Sequence, residues 1–429
     1  MRLSWLSIVR LGLVQMALGA IVVLMTSTLN RLMVVELALA ASLPGALVAF
    51  HYAVQITRPN WGFLSDTGGR RTAFIIGGMA VLGIGGLLAA TAIWVLETLF
   101  WAGLALNIVA YLLIGLGVGA SGTSLLALLA TATDPRRRAA AAMITWLMMI
   151  FGIMVSAIAV GQLLQPYSAE RLVWIVAGVV SIAFAVTCLA VWGVERRVGY
   201  VAARDPSETG FREGLRQVWA EDKARNFTIF VFLSMVAFFM QELILEPYAG
   251  LVFGMSPGET TSLSGVQNGG ALIGMLTVGI AVSAFRIGTL RNWVIAGCLG
   301  SAAALAFIAT LGQTPVIPLL PAVVALGFFN GMFAVAAIGA MMALAGQGRE
   351  RREGTRMGLW GAAQAIAAGF GGLAGASAVD LLRLSALQDA SAFGLVFLFE
   401  AGLFVLSAAM ALRIIENSRQ PRAALVPGE

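Results

Sequence analysis

The chain has 429 residues, of which 59% are hydrophobic and only 11% charged, against roughly 25% charged in an ordinary soluble domain. With a mean hydropathy of +0.91, that composition excludes water as the solvent for most of the surface. The net charge of +6 does not point to nucleic acid, because a nucleic-acid face gathers its basic residues on one exposed patch. Here they fall in short gaps between apolar runs.

A helix needs about 20 apolar residues to cross roughly 30 Å of hydrocarbon. Breaking the apolar runs at charges, prolines and turn residues predicts spans at 11–30, 43–64, 72–94, 103–131, 140–165 and 171–193. A second set follows at 226–248, 262–285, 292–312, 316–345, 357–379 and 391–413. The N-terminal segment, Met1 to Met25, carries Arg2 and Arg10 ahead of an apolar run, as a signal peptide does. The run continues at full span length, so it reads as an uncleaved first helix.

Between the two sets lies one long polar stretch, Glu195 to Arg225, with both charge signs and Asp205-Pro206-Ser207. It reads as a linker. The expected organisation is a six-helix bundle over 1–194, a cytoplasmic linker over 195–225, a second bundle over 226–413 and a cytoplasmic tail over 414–429.

With the N-terminus in the cytoplasm, every Lys and Arg except Arg31, Arg171 and Arg383 falls on the cytoplasmic side. The opposite orientation would put the basic loops at 136–138 and 349–356 outside, against the positive-inside rule. Both termini are therefore expected in the cytoplasm. Those two loops can bind acidic partner surfaces or anionic lipid headgroups equally well.

The halves resemble each other. Arg137-Arg138-x4-Met143-x2-Trp146 opens the fifth span, and Arg351-Arg352-x4-Met357-x2-Trp360 opens the eleventh, at an offset of 214 residues. Half the chain length is the offset expected of two repeats related by an axis along the membrane normal. Runs such as Gly115-x-Gly117-x-Gly119 fall inside spans, where small residues let helix backbones approach. No strand pattern precedes them, so they are not nucleotide-binding loops. Cys188 and Cys298 lie mid-span without metal-ligand spacing.

Between spans two and three stands Gly62-Phe63-Leu64-Ser65-Asp66-Thr67-Gly68-Gly69-Arg70-Arg71, which resembles the signature loop of the major facilitator superfamily. The fold expected is an all-α membrane protein of that superfamily, with twelve transmembrane helices in two pseudo-symmetric six-helix bundles. Gly62 and Gly69 permit a tight turn, while Asp66, with Arg70 and Arg71, can cap a helix end or pair across helices and so latch one conformation. Thr67 stands where that signature usually has a basic residue.

Two further segments are more specific: Thr28-Leu29-Asn30-Arg31-Leu32-Met33-Val34-Val35-Glu36-Leu37, and Met240-Gln241-Glu242-Leu243-Ile244-Leu245-Glu246-Pro247-Tyr248 running on to Val252-Phe253-Gly254-Met255-Ser256. They resemble the bacteriochlorophyll-delivery family of PucC- and LhaA-type proteins, and the chain's length suits its smaller subgroup, encoded beside bacteriochlorophyll synthase. The resemblance implies a non-catalytic protein of a photosynthetic bacterium's inner, intracytoplasmic membrane. It would bind bacteriochlorophyll or a prenylated precursor and support pigment synthesis or assembly of light-harvesting and reaction-centre complexes. The partners implied are membrane lipids, bacteriochlorophyll synthase, geranylgeranyl reductase and light-harvesting polypeptides. The alternatives are a facilitator of another hydrophobic molecule and a non-transporting scaffold for pigment-synthesis enzymes.

The residues can be asked whether they permit this. His51, the single histidine, sits near the middle of span two, with Gln55 one turn later on the same face. A neutral imidazole suits the axial position of a pigment magnesium; it also suits a plain hydrogen bond to a neighbouring helix. Arg31, Glu36, Glu242 and Glu246 are expected at the outer ends of spans one and seven, either as an ion-paired cluster between the halves or as charges reaching the water interface. Glu400, within span twelve, needs a polar partner, protonation or a path to the interface. Polar candidates near mid-membrane are few: His51, Gln55, Asn107, Gln241, Gln267 and Asn268. That scarcity favours a hydrophobic cargo over a sugar or organic anion. A pigment prenyltransferase would need paired aspartates to hold a magnesium diphosphate, and no DxxxD or DDxxD occurs.

Overall fold

In hydrocarbon every backbone N–H and C=O must be satisfied within the chain, which leaves a helix as the economical way to cross. The computed structural model describes residues 3–58, 61, 71–133, 138–195, 219–283, 285, 287–314, 318–345, 353–385 and 387–415, and among them there is no strand. Helices α1 to α6 are Trp5–Val23, Ser42–Val54, Arg71–Leu96, Phe100–Ala132, Arg138–Leu163 and Ala169–Val191. Helices α7 to α12 are Asp222–Phe253, Pro257–Ser283, Leu290–Leu311, Leu320–Ala345, Glu353–Leu384 and Asp389–Ile414. Residues 196–218 of the expected linker and 416–429 of the expected tail lie outside the described residues.

Eleven of these helices are long and apolar enough to cross a membrane. The remaining one, α2, has 13 residues and tightens into a 3₁₀ turn at Gln55–Thr57. The first span is longer than its apolar core suggested. Beyond Val23 it widens into π-helical turns at Leu24–Leu29 and Leu32–Glu36 and runs as one span from Trp5 to Glu36.

Helix α7 likewise runs past the expected end at 248 and stops at Phe253, where Gly254 takes φ 67° as a left-handed C-cap. Pro247 sits inside it. A proline there cannot bond the carbonyl four residues back, which is that of Leu243. The carboxamide of Asn30, from the other half of the chain, donates to that carbonyl at 2.8 Å.

The packing pattern repeats after six helices. In the first half α1 packs on α5 and α6, α3 on α4 and α6, and α2 on α4; in the second, α7 packs on α11 and α12, α9 on α10 and α12, and α8 on α10. Two helix pairs join the halves, α2 with α11 and α5 with α8, and the extension of the first span beyond Val23 meets α7 and α8. Each half has its own apolar core. One gathers Ile8, Leu11, Ile75, Met79 and Tyr111, the other Phe227, Tyr248, Phe333, Trp360 and Phe397.

The side chains that face outward are apolar too: Trp101, Trp174, Ile182, Leu381 and Phe399 are all largely exposed. On a soluble monomer such a surface would mark an interaction site; on these helices it is the lipid face. Trp5 and Trp192 flank one end of the bundle and Trp94 and Trp101 the other, where indole rings settle at the headgroup boundary.

The closest helix crossing is α8 on α10. A Cβ at Gly274 would lie 2.0 Å from the Phe328 carbonyl oxygen, and one at Gly327 2.0 Å from that of Gln267. Any side chain there must push the backbones apart, at a cost of about 1–3 kcal/mol for added methyl groups. Gly327→Val should therefore lower the unfolding midpoint of the purified protein by several degrees. Gly402→Val, at a glycine with open space around it, should change it little; equal effects would refute the crossing.

Candidate functional site between the halves

Both described chain ends lie at one end of the bundle: the N–H of Leu3 donates to the carbonyl of Ala132 at the end of α4, and Ile415 closes α12. The cross-seam hydrogen bonds gather toward the opposite end. The hydroxyl of Ser27 donates to the Glu246 carboxylate, Thr28 and Thr261 share a hydrogen bond of 3.1 Å, and Asn30 reaches Leu243.

Arg31 is buried at 3% exposure. It pairs with the Glu36 carboxylate of its own segment and donates across the seam to the Met255 carbonyl at 2.8 Å. Of the four charges named in the sequence, Arg31 and Glu36 pair within the first half, in place of an ion pair between the halves. Arg31 is neutralised locally and crosses the seam through a carbonyl, while Glu246 crosses through a hydroxyl.

Two further contacts close this end. The Asp380 carboxylate of α11 accepts from the N–H groups of Ala41 and Ser42, at 3.0 and 2.7 Å, at the start of α2. A carboxylate at a helix N-terminus meets both orphan donors and the positive end of the helix dipole. At the matching place of the other joining pair, Gln165 after α5 donates to Ser256 before α8 at 3.5 Å. The sequence reading had singled out neither residue. Asp380 looked like the first polar residue after a span, and its partners are backbone groups, which leave no trace in composition.

Just inside this closed end is a cavity of about 100 Å³ lined by residues of α1, α5, α7, α8 and α10, including Thr26, Ser27, Gln241, Glu242, Glu246 and Asn330. Glu242 and Glu246 were expected at the outer end of span seven. The extension of α7 to Phe253 places them inside the helix instead, with Glu242 half-buried and Glu246 at 3% exposure. Gln267 and Asn268 also line the cavity. Asn107 instead bonds its own helix at the Gly103 carbonyl.

His51 and Gln55 lie elsewhere, on α2 where it crosses α4; a Cβ at Gly115 would be 2.9 Å from the His51 carbonyl oxygen. Both are buried. A chain of hydrogen bonds fixes the imidazole. Arg58 donates to Gln55 Oε1, so Gln55 turns its amide nitrogen toward His51 Nε2 at 2.7 Å. An amide nitrogen only donates, hence Nε2 accepts and the ring proton sits on Nδ1. That nitrogen has no hydrogen-bond partner.

Of the signature loop, Gly62, Asp66, Gly69 and Arg70 lie outside the described residues. Arg71 opens α3, where its N–H donates to Glu195 Oε1 at 2.6 Å and its guanidinium to the Ala127 carbonyl at 3.0 Å. Glu195, read as the first residue of the linker, thus caps α3. Glu400 is fully buried within α12 and neither carboxylate oxygen has a hydrogen-bond partner. Among the described residues no group of His, Cys, Asp or Glu is arranged to hold a metal ion.

Removing the Asp380 contacts should loosen the closed end. Hydrogen bonds to a charged group contribute about 1.5–3 kcal/mol, so Asp380→Ala should raise the population open at this end roughly tenfold or more. The readout is labelling of a cysteine introduced at Thr28, in a background lacking Cys188 and Cys298, by a membrane-impermeant maleimide. Unchanged labelling would mean that the carboxylate does not hold the seam.

Residues 28–419 match the PUCC protein family. The chain is 66% identical over 97% of its length, and 96% of the relative's, to the bacteriochlorophyll synthase 44.5 kDa chain of Rhodobacter capsulatus. It is 31% identical to protein PucC of Cereibacter sphaeroides, covering 97% of this chain and 93% of that one. Among solved structures, a D-xylose-proton symporter superposes with TM-score 0.73 at 16% identity, covering 96% of this chain and 99% of the symporter. The nucleoside transporter NupG superposes with TM-score 0.70 at 14% identity, covering 96% and 99%. At those identities the likeness is one of fold.

Proposed function

The chain belongs to the PUCC protein family and has the major facilitator fold, and on that premise we propose that it is a bacteriochlorophyll-binding delivery or assembly factor. It works without catalysis in the inner, intracytoplasmic membrane of a photosynthetic bacterium, with both termini in the cytoplasm. The observation that carries this is the 66% identity, over nearly the whole of both chains, to a protein named as a chain of bacteriochlorophyll synthase. The absence of paired aspartate motifs in the sequence supports a supporting role beside the prenyl-transferring enzyme. Bacteriochlorophyll synthase, geranylgeranyl reductase and light-harvesting polypeptides are the partners this reading names.

The seam cavity is too small for the cargo. Ligand pockets run to about 300–1,000 Å³, and a tetrapyrrole with a prenyl tail cannot enter about 100 Å³. The apolar flank of α2, where Phe50 and Ile56 face outward, offers a flat pigment the same solvent it has in lipid. His51 lies one residue along that helix. Its Nδ1, buried without a partner, is a polar group at membrane depth in want of one.

As a magnesium ligand Nδ1 must first lose its proton to Nε2, and Gln55 must then turn its oxygen to accept it. Arg58 opposes that turn, because it holds the same oxygen. Pigment ligation is thereby set against the Arg58–Gln55 bond, and Gln55 positions the ring rather than ligating.

The test is the near-infrared absorbance of protein purified in mild detergent from a pigment-producing host. Wild type and Gln55→Leu should carry bacteriochlorophyll bands, and His51→Ala should lose most of them. Bands surviving in His51→Ala would move ligation to another residue, and their absence from all three samples would overturn the pigment-binding reading.

A further inference from the structure

The cavity between the halves, too small for a pigment, is built as a site of a different kind. Glu242 and Glu246 stand one helical turn apart on α7 and both line it. Like charges at that spacing repel, and carboxylates at membrane depth are costly without partners. The rest of the polar lining is uncharged, with Ser27 from the first span's extension and Gln241, Asn268 and Asn330 from α7, α8 and α10, set among apolar side chains such as Val22, Ile153 and Phe238. No basic side chain lines it.

Two acceptors there are left over. Glu246 Oε2 and Gln241 Oε1 have no hydrogen-bond partner, although these residues are 3% and 2% exposed. The charged and titratable groups around them do not neutralise the pair. Arg31 acts on Glu246 from the α1 extension but is engaged by Glu36 and by the Met255 carbonyl. From α2 the titratable group acting on Glu242 is the Tyr52 phenol, which carries no positive charge. The lining residues of α5, α8 and α10 carry no charge.

We propose that this cavity binds one small monovalent cation, an alkali ion or a proton, between Glu242 and Glu246. Hard oxygens from carboxylate, carboxamide and hydroxyl groups suit such an ion, and about 100 Å³ leaves room for it together with part of its hydration shell. The bound cation ties α7 to α1, α8 and α10 just inside the closed end. Its departure leaves two like charges facing each other across one turn and favours opening of the seam. The site is independent of the pigment reading, and its test uses no pigment.

A ligand that binds only the folded state raises its stability in proportion to the logarithm of its concentration over its dissociation constant. The unfolding midpoint of the purified protein is measured in sodium, potassium or choline chloride at equal ionic strength, and in choline chloride across neutral to mildly acidic pH. An alkali ion should raise the wild-type midpoint saturably, by about 3–5 °C at roughly a hundredfold excess over its dissociation constant, and Glu246→Gln should abolish the rise. A rise with acid instead, also abolished by Glu246→Gln, identifies the cation as a proton. If Glu246→Gln cannot be purified, the half-buried Glu242→Gln supplies the same comparison. A wild-type midpoint indifferent to alkali ions and to acid, or a carboxamide variant that responds as wild type does, overturns the proposal.

Discussion

One carbonyl organises the seam. Pro247 leaves the Leu243 oxygen without its helical donor, in a medium with no water to take the donor's place, and an unmade hydrogen bond there costs several kcal/mol. Asn30 supplies the missing N–H from the other half of the chain. That contact sets the π-helical end of the first span against the Pro247 turn of α7, and the Ser27–Glu246 and Arg31–Met255 bonds join the same stretches of the two halves. The rest of the closed end follows the same logic. Asp380 serves the orphan N–H groups of α2 across the seam, so another buried polar group is satisfied between the halves.

This division of polarity separates two tasks. The outside is apolar and continuous with the lipid, which suits a prenylated pigment arriving from the membrane and leaving to it. The interior is narrow, acidic and rich in hydrogen-bonding oxygen, which suits a small ion. The residue proposed to meet the pigment, His51, lies apart from this seam, on α2 where it crosses α4.

Much of this architecture was legible in the sequence. Twelve apolar runs in two sets, basic residues on one side and the matched Arg-Arg-x4-Met-x2-Trp segments gave the plan, because lipid imposes one solution on long apolar runs. The ends of spans one and seven were legible only in part. Arg31 and Pro247 look like stop signals, yet Arg31 is neutralised by Glu36, and the proline's free carbonyl is met by Asn30, so both helices continue. Glu242 and Glu246 thereby move from a presumed rim into the cavity. The capping roles of Asp380 and Glu195 leave no mark in the sequence, because each bonds backbone N–H groups at a helix start far away in the chain. His51 and Gln55 share a face as their spacing required, while the role of Arg58 in orienting them needed the turn at Gln55–Thr57.

The proposed function requires that this fold hold bacteriochlorophyll as a bound cargo. It is tested most directly by titrating the pigment into the pigment-free protein in lipid nanodiscs and following its fluorescence. A bound cargo gives a saturable component that protein-free nanodiscs lack. A signal that rises linearly and identically in both, as simple partition into lipid would give, contradicts it.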